Sequence, residues 1–117
     1  MPLLSLSSTD ADTADAGELL RRHPVHVIYK HSPTCSLSEM AHDEVREYAD
    51  RSNALPLTLI DVFEARAMSD ALEAETGIRH ESPQVLLVRN GRVQWHASHR
   101  RVTARALDAA ANTVVNG

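Results

Sequence analysis

The chain has 117 residues, of which 43% are hydrophobic and 24% charged, and this fits one compact domain with its own core. The formal net charge of −4 excludes the basic surface of a nucleic-acid-binding protein and the polybasic patch typical of membrane binding. A single cysteine, Cys35, excludes an intramolecular disulfide scaffold, and the first residues lack the pattern of a signal peptide. We therefore expect a cytoplasmic protein whose thiol is reduced at rest.

The N-terminal residues differ in composition from the rest of the chain. Residues 1–13 are rich in Ser, Thr and Asp, and we predict that they form a flexible arm. Residues 14–117 alternate between apolar and polar segments and are predicted to form a single domain.

Hydrophobic periodicity divides this domain into helices and strands. On the longest predicted helix, the face opposite the apolar stripe carries His42 among charged residues, so it is expected to be solvated. The predicted elements, in chain order, are a helix over 14–22, a strand over 25–30, a helix over 35–51, a strand over 57–62, a helix from residue 65 that Gly77 ends, strands over 84–89 and 92–98, and a last helix capped by Thr103.

The dipeptide Asn90-Gly91 joins the last two strands, and between alternating apolar runs it is a strong signal for a β-hairpin. Val93, Trp95 and Ala97 are expected on one buried face of the second hairpin strand. Strands that are linked by helices should pair in parallel, whereas the hairpin must be antiparallel. The order therefore predicts an α/β protein with a thioredoxin-like fold, a mixed four-stranded sheet flanked by helices on both faces.

Cys35 lies where a polar loop meets the longest predicted helix. Unpaired N–H groups and the positive end of the dipole at a helix N-terminus favour a thiolate, and reactive cysteines occur in this setting. Thr34 is one candidate cap, whereas Ser36 with Glu39 also has the pattern of a capping box and would leave Cys35 just outside the helix. The alternative is a buried free cysteine that only packs. The polar neighbours Pro33, Thr34, Ser36 and Ser38 make a poor setting for a core residue.

A lowered pKa would suit a thiol that exchanges rather than one that forms a permanent bond. A drop from about 8.5 to about 6 raises the thiolate fraction at pH 7 from roughly 3% to roughly 90%. Because intrinsic nucleophilicity falls about 18-fold over the same drop, attack becomes only about twofold faster. The larger gain is that the thiolate leaves a mixed disulfide more readily.

Pro83 directly precedes a buried strand. In thioredoxin-like domains a cis-proline occupies this position and faces the cysteine at the helix start; the alternative is an ordinary proline that begins a strand. His31 and His80 should lie near Cys35 in such a fold, where a cation would support the thiolate, although simple loop polarity also accounts for them. Glu81 would have the opposite effect on the thiol. No metal-binding motif is present, so we expect no metal site.

These residues resemble the monothiol bacilliredoxins, thioredoxin-like proteins of bacteria that make bacillithiol. The resemblance covers about residues 24–115. It rests on four segments, namely Lys30-His31-Ser32, Thr34-Cys35 with Ser38, Arg79-His80-Glu81-Ser82-Pro83-Gln84-Val85-Leu86-Leu87, and Trp95-His96-Ala97-Ser98-His99.

The resemblance implies that Cys35 removes bacillithiol from mixed disulfides on client proteins and holds it until bacillithiol or another reducing thiol resolves it. Bacillithiol would be a co-substrate, with no tightly bound cofactor. Thr34, Ser36, Ser38, Ser82 and Pro83 would support the site. Ser38 stands where dithiol thioredoxins carry a resolving cysteine.

The family usually has proline after the cysteine, where this chain has Ser36. The serine restores a backbone N–H donor near the sulfur, so we expect it to lower the pKa of Cys35 further.

Two other functions are compatible with the same fold. One is an iron–sulfur carrier of the monothiol glutaredoxin kind, although the Gly-Phe that follows the cysteine in those proteins is absent. The other is a thioredoxin-like binding module without catalytic activity.

Overall fold

A computed structural model describes residues 4–5, 16–32, 36–63 and 65–116, and for residues 4, 5 and 36–38 it describes the backbone alone. Pro33, Thr34 and Cys35 therefore lie outside the described residues, as does most of the predicted arm. The elements are β1 (Leu4–Ser5), α1 (Ala16–Leu20), β2 (Val25–His31), α2 (Ser36–Ala49), β3 (Leu57–Asp61), α3 (Arg66–Thr76), β4 (Gln84–Arg89), β5 (Arg92–Ser98), a 3₁₀ helix (His99–Arg101) and α4 (Ala104–Asn116).

Within the described residues the sheet has five strands in the order β1-β3-β2-β4-β5. β3 pairs in parallel with β1 and β2, whereas β4 is antiparallel to both β2 and β5. The predicted mixed four-stranded sheet is therefore present as β2 to β5. The sequence analysis placed no strand in residues 1–13, but Leu4–Ser5 pairs with Thr58 and Leu59 at the edge of the sheet.

Each face of the sheet carries its own apolar core, because successive side chains of a strand point to opposite faces. Val27 and Tyr29 of β2 pack with residues of α2 and α4. Ile28, between them, packs with residues of α1 and α3 on the other face. The prediction of helices on both faces is confirmed.

The hairpin between β4 and β5 forms where the sequence predicted it, and its bounds are those expected. Asn90 and Gly91 have φ of 52° and 81°, the left-handed conformation that a two-residue turn of this kind requires.

The face prediction for β5 was wrong at one position. The register pairs Leu87 with Trp95 but Val88 with Val93, so β5 carries an extra residue at this point. Trp95 and Ala97 consequently pack on the α2–α4 side, whereas Val93 packs on the α1–α3 side.

The predicted helix ends also follow local chemistry. Gly77 ends α3 with φ of 72°, and its N–H donates to the Glu73 carbonyl at 2.9 Å. Thr103 Oγ1 accepts a hydrogen bond from the Ala106 N–H at 3.1 Å, which confirms Thr103 as the cap of α4. Among the described residues, no helix is long and apolar enough to cross a membrane.

Candidate active site

The sheet brings two of the predicted site segments together. β2 and β4 are antiparallel neighbours, and Lys30 pairs with Gln84 at the end of their ladder. The next residue of β2 is His31 and the residue before β4 is Pro83, so these two lie side by side where the strands meet. The chain then runs from His31 through residues 33–35 into α2, which starts at Ser36. The end of β2, which the chain follows toward Cys35, therefore lies beside Pro83.

The Ser82–Pro83 peptide bond is cis, and Pro83 is buried. Ser82 Oγ is buried and has no hydrogen-bond partner among the described residues. The side-chain amide of Gln84 donates to the Arg79 carbonyl at 3.0 Å and to Ser98 Oγ at 3.2 Å. These two bonds fasten both the beginning of the loop 79–83 and the adjacent end of β5 to the first residue of β4.

His99, which directly follows β5, also contacts the loop 79–83. Its backbone N–H donates to the Pro83 carbonyl at 2.8 Å, and its Nδ1 lies 3.2 Å from the Glu81 carboxylate, an ion pair when His99 is protonated. His99 has φ of 55°, a left-handed conformation that is uncommon for a residue with a side chain. The sequence analysis gave His99 no role of its own, although it ends the segment Trp95–His99 on which the resemblance partly rests.

His80 is directed toward the α3 side of the sheet, where it meets a buried lysine. Lys30 is 1% exposed, and its Nζ lies 3.2 Å from His80 Nδ1 and 3.4 Å from the Ser69 carbonyl oxygen. Ser69 Oγ lies 3.0 Å from the same imidazole nitrogen. Because an ammonium can only donate, His80 Nδ1 accepts and the neutral ring carries its proton on Nε2.

Burial dominates the electrostatics of this group. Burial lowers the pKa of Lys30, and the carboxylates of Glu73 and Asp70 oppose the shift. Burial also lowers the pKa of His80, and the Lys30 charge adds to that effect. Both causes favour a neutral His80 near pH 7.

His31 is directed toward the α2 side. Its Nδ1 lies 3.0 Å from the Tyr29 hydroxyl, and its ring centroid is 4.7 Å from that of His42. His42 also stacks on Tyr29 with a centroid separation of 6.0 Å. The prediction that His42 lies on a solvated face was therefore wrong, because the imidazole packs against side chains of β2.

Burial lowers the pKa of His31, the nearby His42 lowers it further, and Asp61 opposes both. His31 and His80 thus lie on different sides of the sheet and make separate contacts. Thr34 and Cys35 lie outside the described residues, and the side chains of Ser36 and Ser38 do as well.

Two cavities have His99 in their lining. One, of about 230 Å³, lies between Met40 and Ala41 of α2 and Val102. The other, of about 300 Å³, lies on the side of Glu81. Among the described residues there is no cluster of three or more side chains that could hold a metal ion.

A family model described as monothiol bacilliredoxin BrxC matches residues 9–107 of the chain. The chain belongs to the monothiol bacilliredoxin family. The resemblance inferred from the sequence segments is thereby confirmed, and the match includes Cys35, Ser38 and the cis-proline loop.

Solved structures show the same fold. A putative oxidoreductase with a thioredoxin fold superimposes with a TM-score of 0.78 at 26% identity, covering 92% of each chain. Thioredoxin f2 of Chlamydomonas reinhardtii has a TM-score of 0.68 at 16% identity and covers 97% of this chain and 96% of its own. Mitochondrial thioredoxin 3 of Saccharomyces cerevisiae gives 0.70 at 14%, with 95% and 94% covered. The thioredoxin-like fold is confirmed, and fold and family together support a thiol redox function.

Proposed function

We propose that this bacilliredoxin is a monothiol thiol–disulfide oxidoreductase that removes bacillithiol from mixed disulfides on client proteins through Cys35. The observation that carries the proposal is the position of the only cysteine of the chain. Cys35 belongs to the segment that joins β2 to α2, and the loop with cis-Pro83 borders the start of that segment. The family match supports the same chemistry.

The reaction is a pair of thiol exchanges. The Cys35 thiolate attacks the bacillithiol sulfur of the mixed disulfide, so the bond between bacillithiol and the client breaks as the bond between bacillithiol and Cys35 forms. The client leaves as a thiolate and takes up a proton. A reducing thiol, bacillithiol itself or another, then attacks the bacillithiol sulfur on Cys35, forms a disulfide with it and releases the Cys35 thiolate.

The described residues hold the loop 79–83 next to the end of β2. The loop 79–83 is fastened to β5 by Gln84 and held by His99 through Pro83 and Glu81. The cavities beside His99 give room for part of a small thiol or of a client side chain. The chain has no second cysteine, and a hydroxyl at Ser38 cannot form a disulfide, so every disulfide of Cys35 joins it to another molecule.

The proposal is tested with a client protein that carries bacillithiol on one cysteine. The wild-type chain should restore the free client thiol, seen as the loss of one bacillithiol from the intact mass of the client. Cys35→Ser should leave the client modified, whereas Ser38→Ala should still restore it. A client that stays modified in the presence of the wild-type chain, or a Cys35→Ser variant that restores it, would contradict the proposal.

A further inference from the structure

One of the two cavities that have His99 in their lining, the one of about 300 Å³, lies where β5 ends. His99 donates its backbone N–H to the Pro83 carbonyl at 2.8 Å, so this cavity adjoins the cis-proline loop. We call it the Arg101 cavity, and its whole lining belongs to the described part of the chain. The lining residues are Glu81, His96, Ala97, Ser98, His99 and Arg101.

The charged groups of this lining leave the guanidinium of Arg101 without a partner. The Glu81 carboxylate lies 3.2 Å from His99 Nδ1, and an N–H on that nitrogen can donate to it whether the imidazole is neutral or charged. Arg101 is exposed and makes no ion pair with any of the described residues. A guanidinium is charged at every pH at which a protein is folded, and its planar fork of N–H groups matches a carboxylate.

Neutral side chains add further donors beside Arg101. Ser98 Oγ accepts a hydrogen bond from the side-chain amide of Gln84 at 3.2 Å, and Gln84 is 1% exposed. Because this bond occupies a lone pair of the oxygen, the hydroxyl proton of Ser98 is left to donate. His96 is exposed and has a ring N–H in either neutral tautomer. Three side chains of the lining can therefore donate to one oxyanion.

The 230 Å³ cavity that shares His99 suits a carboxylate less well. Arg100 lines it, but so do the apolar side chains of Met40 and Val102. Its lining also includes Glu44, whose carboxylate accepts the Ala104 N–H at 2.9 Å and would repel a second carboxylate.

A larger cavity, of about 520 Å³, lies at the hairpin end of β5. Arg21 and Arg92 line it together with Gly91 of the turn. Arg92 and Ser98 are the first and last residues of β5, which separates them by about 20 Å. This cavity is therefore too far from the cis-proline loop to bind the same end of a small ligand.

The donors and the size of the Arg101 cavity define the ligand. A volume of about 300 Å³ is at the lower end of the range for small-molecule sites, so the cavity would hold one end of a thiol the size of bacillithiol. Bacillithiol is a cysteine amide of glucosaminyl malate, and its malate end carries two carboxylates. Because the chain has a net charge of −4, the protein as a whole does not attract anions, and affinity has to come from a local set of donors.

We propose that the Arg101 cavity binds the malate end of bacillithiol, with the Arg101 guanidinium on a malate carboxylate and with Ser98 and His96 as further donors. Arg101 is a substrate-binding residue in this account, and it selects bacillithiol over small thiols that have no carboxylate. The inference rests on the proposed function, because it assigns a site to the co-substrate of that reaction. It uses no contact with the thiol of the chain.

Binding is measured with glucosaminyl malate, the part of bacillithiol that lacks the cysteine, so that no disulfide can form. In an amide NMR titration of the intact chain, the signals of His96, Ser98 and Arg101 should shift and saturate. Methyl glucosaminide, which has the sugar but no carboxylate, should leave them in place. The absence of saturable shifts up to about 10 mM glucosaminyl malate would overturn the inference, and so would equal shifts with methyl glucosaminide.

Arg101→Gln removes the charge and keeps a side chain that can donate. It should raise the Kd for glucosaminyl malate about 5- to 10-fold, as expected for a charged hydrogen bond at an exposed site. Arg92→Gln makes the same change at the other end of β5 and should keep the wild-type Kd. Circular dichroism establishes that both variants fold. A folded Arg101→Gln variant with the wild-type Kd would overturn the inference. An equal loss in Arg92→Gln would do so too, because it would reflect overall charge rather than a site.

Acidic side chains of client proteins are another source of carboxylates. An acidic peptide without cysteine that binds the Arg101 cavity more tightly than glucosaminyl malate would overturn the assignment to bacillithiol. The client assay of the proposed function is independent of these titrations. Removal of bacillithiol from the client without binding of glucosaminyl malate refutes the inference alone, and binding without removal refutes the proposed function alone.

Discussion

One buried histidine, His26, should make the fold less stable in acid. His26 is 0% exposed, and its Nε2 donates to the Leu20 carbonyl at 3.0 Å. Its Nδ1 is buried without a hydrogen-bond partner among the described residues. A second proton would have to occupy that nitrogen. Burial accordingly lowers the pKa of His26; the bond to Leu20 opposes the shift, and His23 and Arg22 add to it.

The sign of the pH effect follows from this lowered pKa. In the unfolded chain a histidine titrates near 6.5 and is about one quarter protonated at pH 7 and about 97% protonated at pH 5. The stability that a neutral His26 gives is therefore complete above about pH 6.5 and is lost as the pH falls toward the folded pKa. A histidine that remains neutral in the fold over this whole range lowers the free energy of unfolding by at most about 2 kcal/mol between pH 7 and pH 5.

His26→Gln isolates this contribution, because the glutamine amide can still donate to the Leu20 carbonyl. Urea unfolding followed by the fluorescence of the single Trp95 gives the free energy of unfolding at both pH values. At pH 7 the variant should be less stable by about 1 kcal/mol, as is usual for a change in a packed core. At pH 5 the free energy of unfolding of the variant, relative to that of the wild type, should be up to about 2 kcal/mol more favourable than at pH 7. The variant would then be nearly as stable as the wild type or more stable.

His96→Gln is the matched control, since His96 is exposed on β5. It should lose as much stability between the two pH values as the wild type does. If wild type and His26→Gln lose the same free energy to within about 0.5 kcal/mol, the account of His26 is wrong.

Three further changes test other parts of the structure. Tyr48→Phe removes the hydroxyl that accepts the Leu55 N–H at 3.0 Å, and unfolding in urea should show a loss of about 1–2 kcal/mol; no loss would contradict that bond. Gly91→Ala places a side chain at φ of 81° and should lower the melting temperature, so an equal or higher value would refute the turn geometry. Ser36→Pro removes a backbone donor beside Cys35 and should raise the thiol pKa; an equal or lower value in a thiolate titration would contradict that reasoning.

The parts of the fold that were predicted correctly depend on chemistry within a few residues. Gly77, Asn90-Gly91 and Thr103 each specify a turn or a helix end through their own conformation or hydrogen bond. Helix ends were less accurate: the helices predicted to end at residues 22 and 51 end at Leu20 and Ala49, whereas their predicted first residues, 14 and 35, lie outside the described residues. Helix ends depend on competing backbone bonds that composition does not resolve.

The errors concern contacts between distant parts of the chain. His42 was assigned to solvent by its polar neighbours on α2, but its ring packs on Tyr29 and His31 of β2. The sequence analysis treated Lys30 only as part of a predicted strand. A lysine at the end of an apolar run nevertheless signals that its amine needs a buried partner. The extra residue in β5 leaves no trace in the alternation, so the inward face of Val93 could not be inferred.

The predicted site also has parts that the sequence could predict and parts that it could not. The pairing of β2 with β4 follows from the topology, and it sets His31 beside Pro83. The roles of Thr34, Cys35, Ser36 and Ser38 remain predictions, because they depend on atoms outside the described part of the chain. The contacts of His99 with Pro83 and Glu81 join segments 16 and 18 residues apart, which the sequence could relate only through the family resemblance.

The central claim is that Cys35 itself carries bacillithiol during the exchange. The direct measurement is the intact mass of the chain after incubation with a bacillithiolated client in the absence of a reducing thiol, followed by peptide mapping. The account predicts the addition of one bacillithiol to the peptide that contains Cys35, its removal by added thiol, and no addition to Cys35→Ser. A client that loses its bacillithiol while the chain remains unmodified, or a Cys35→Ser chain that acquires the adduct, would contradict it.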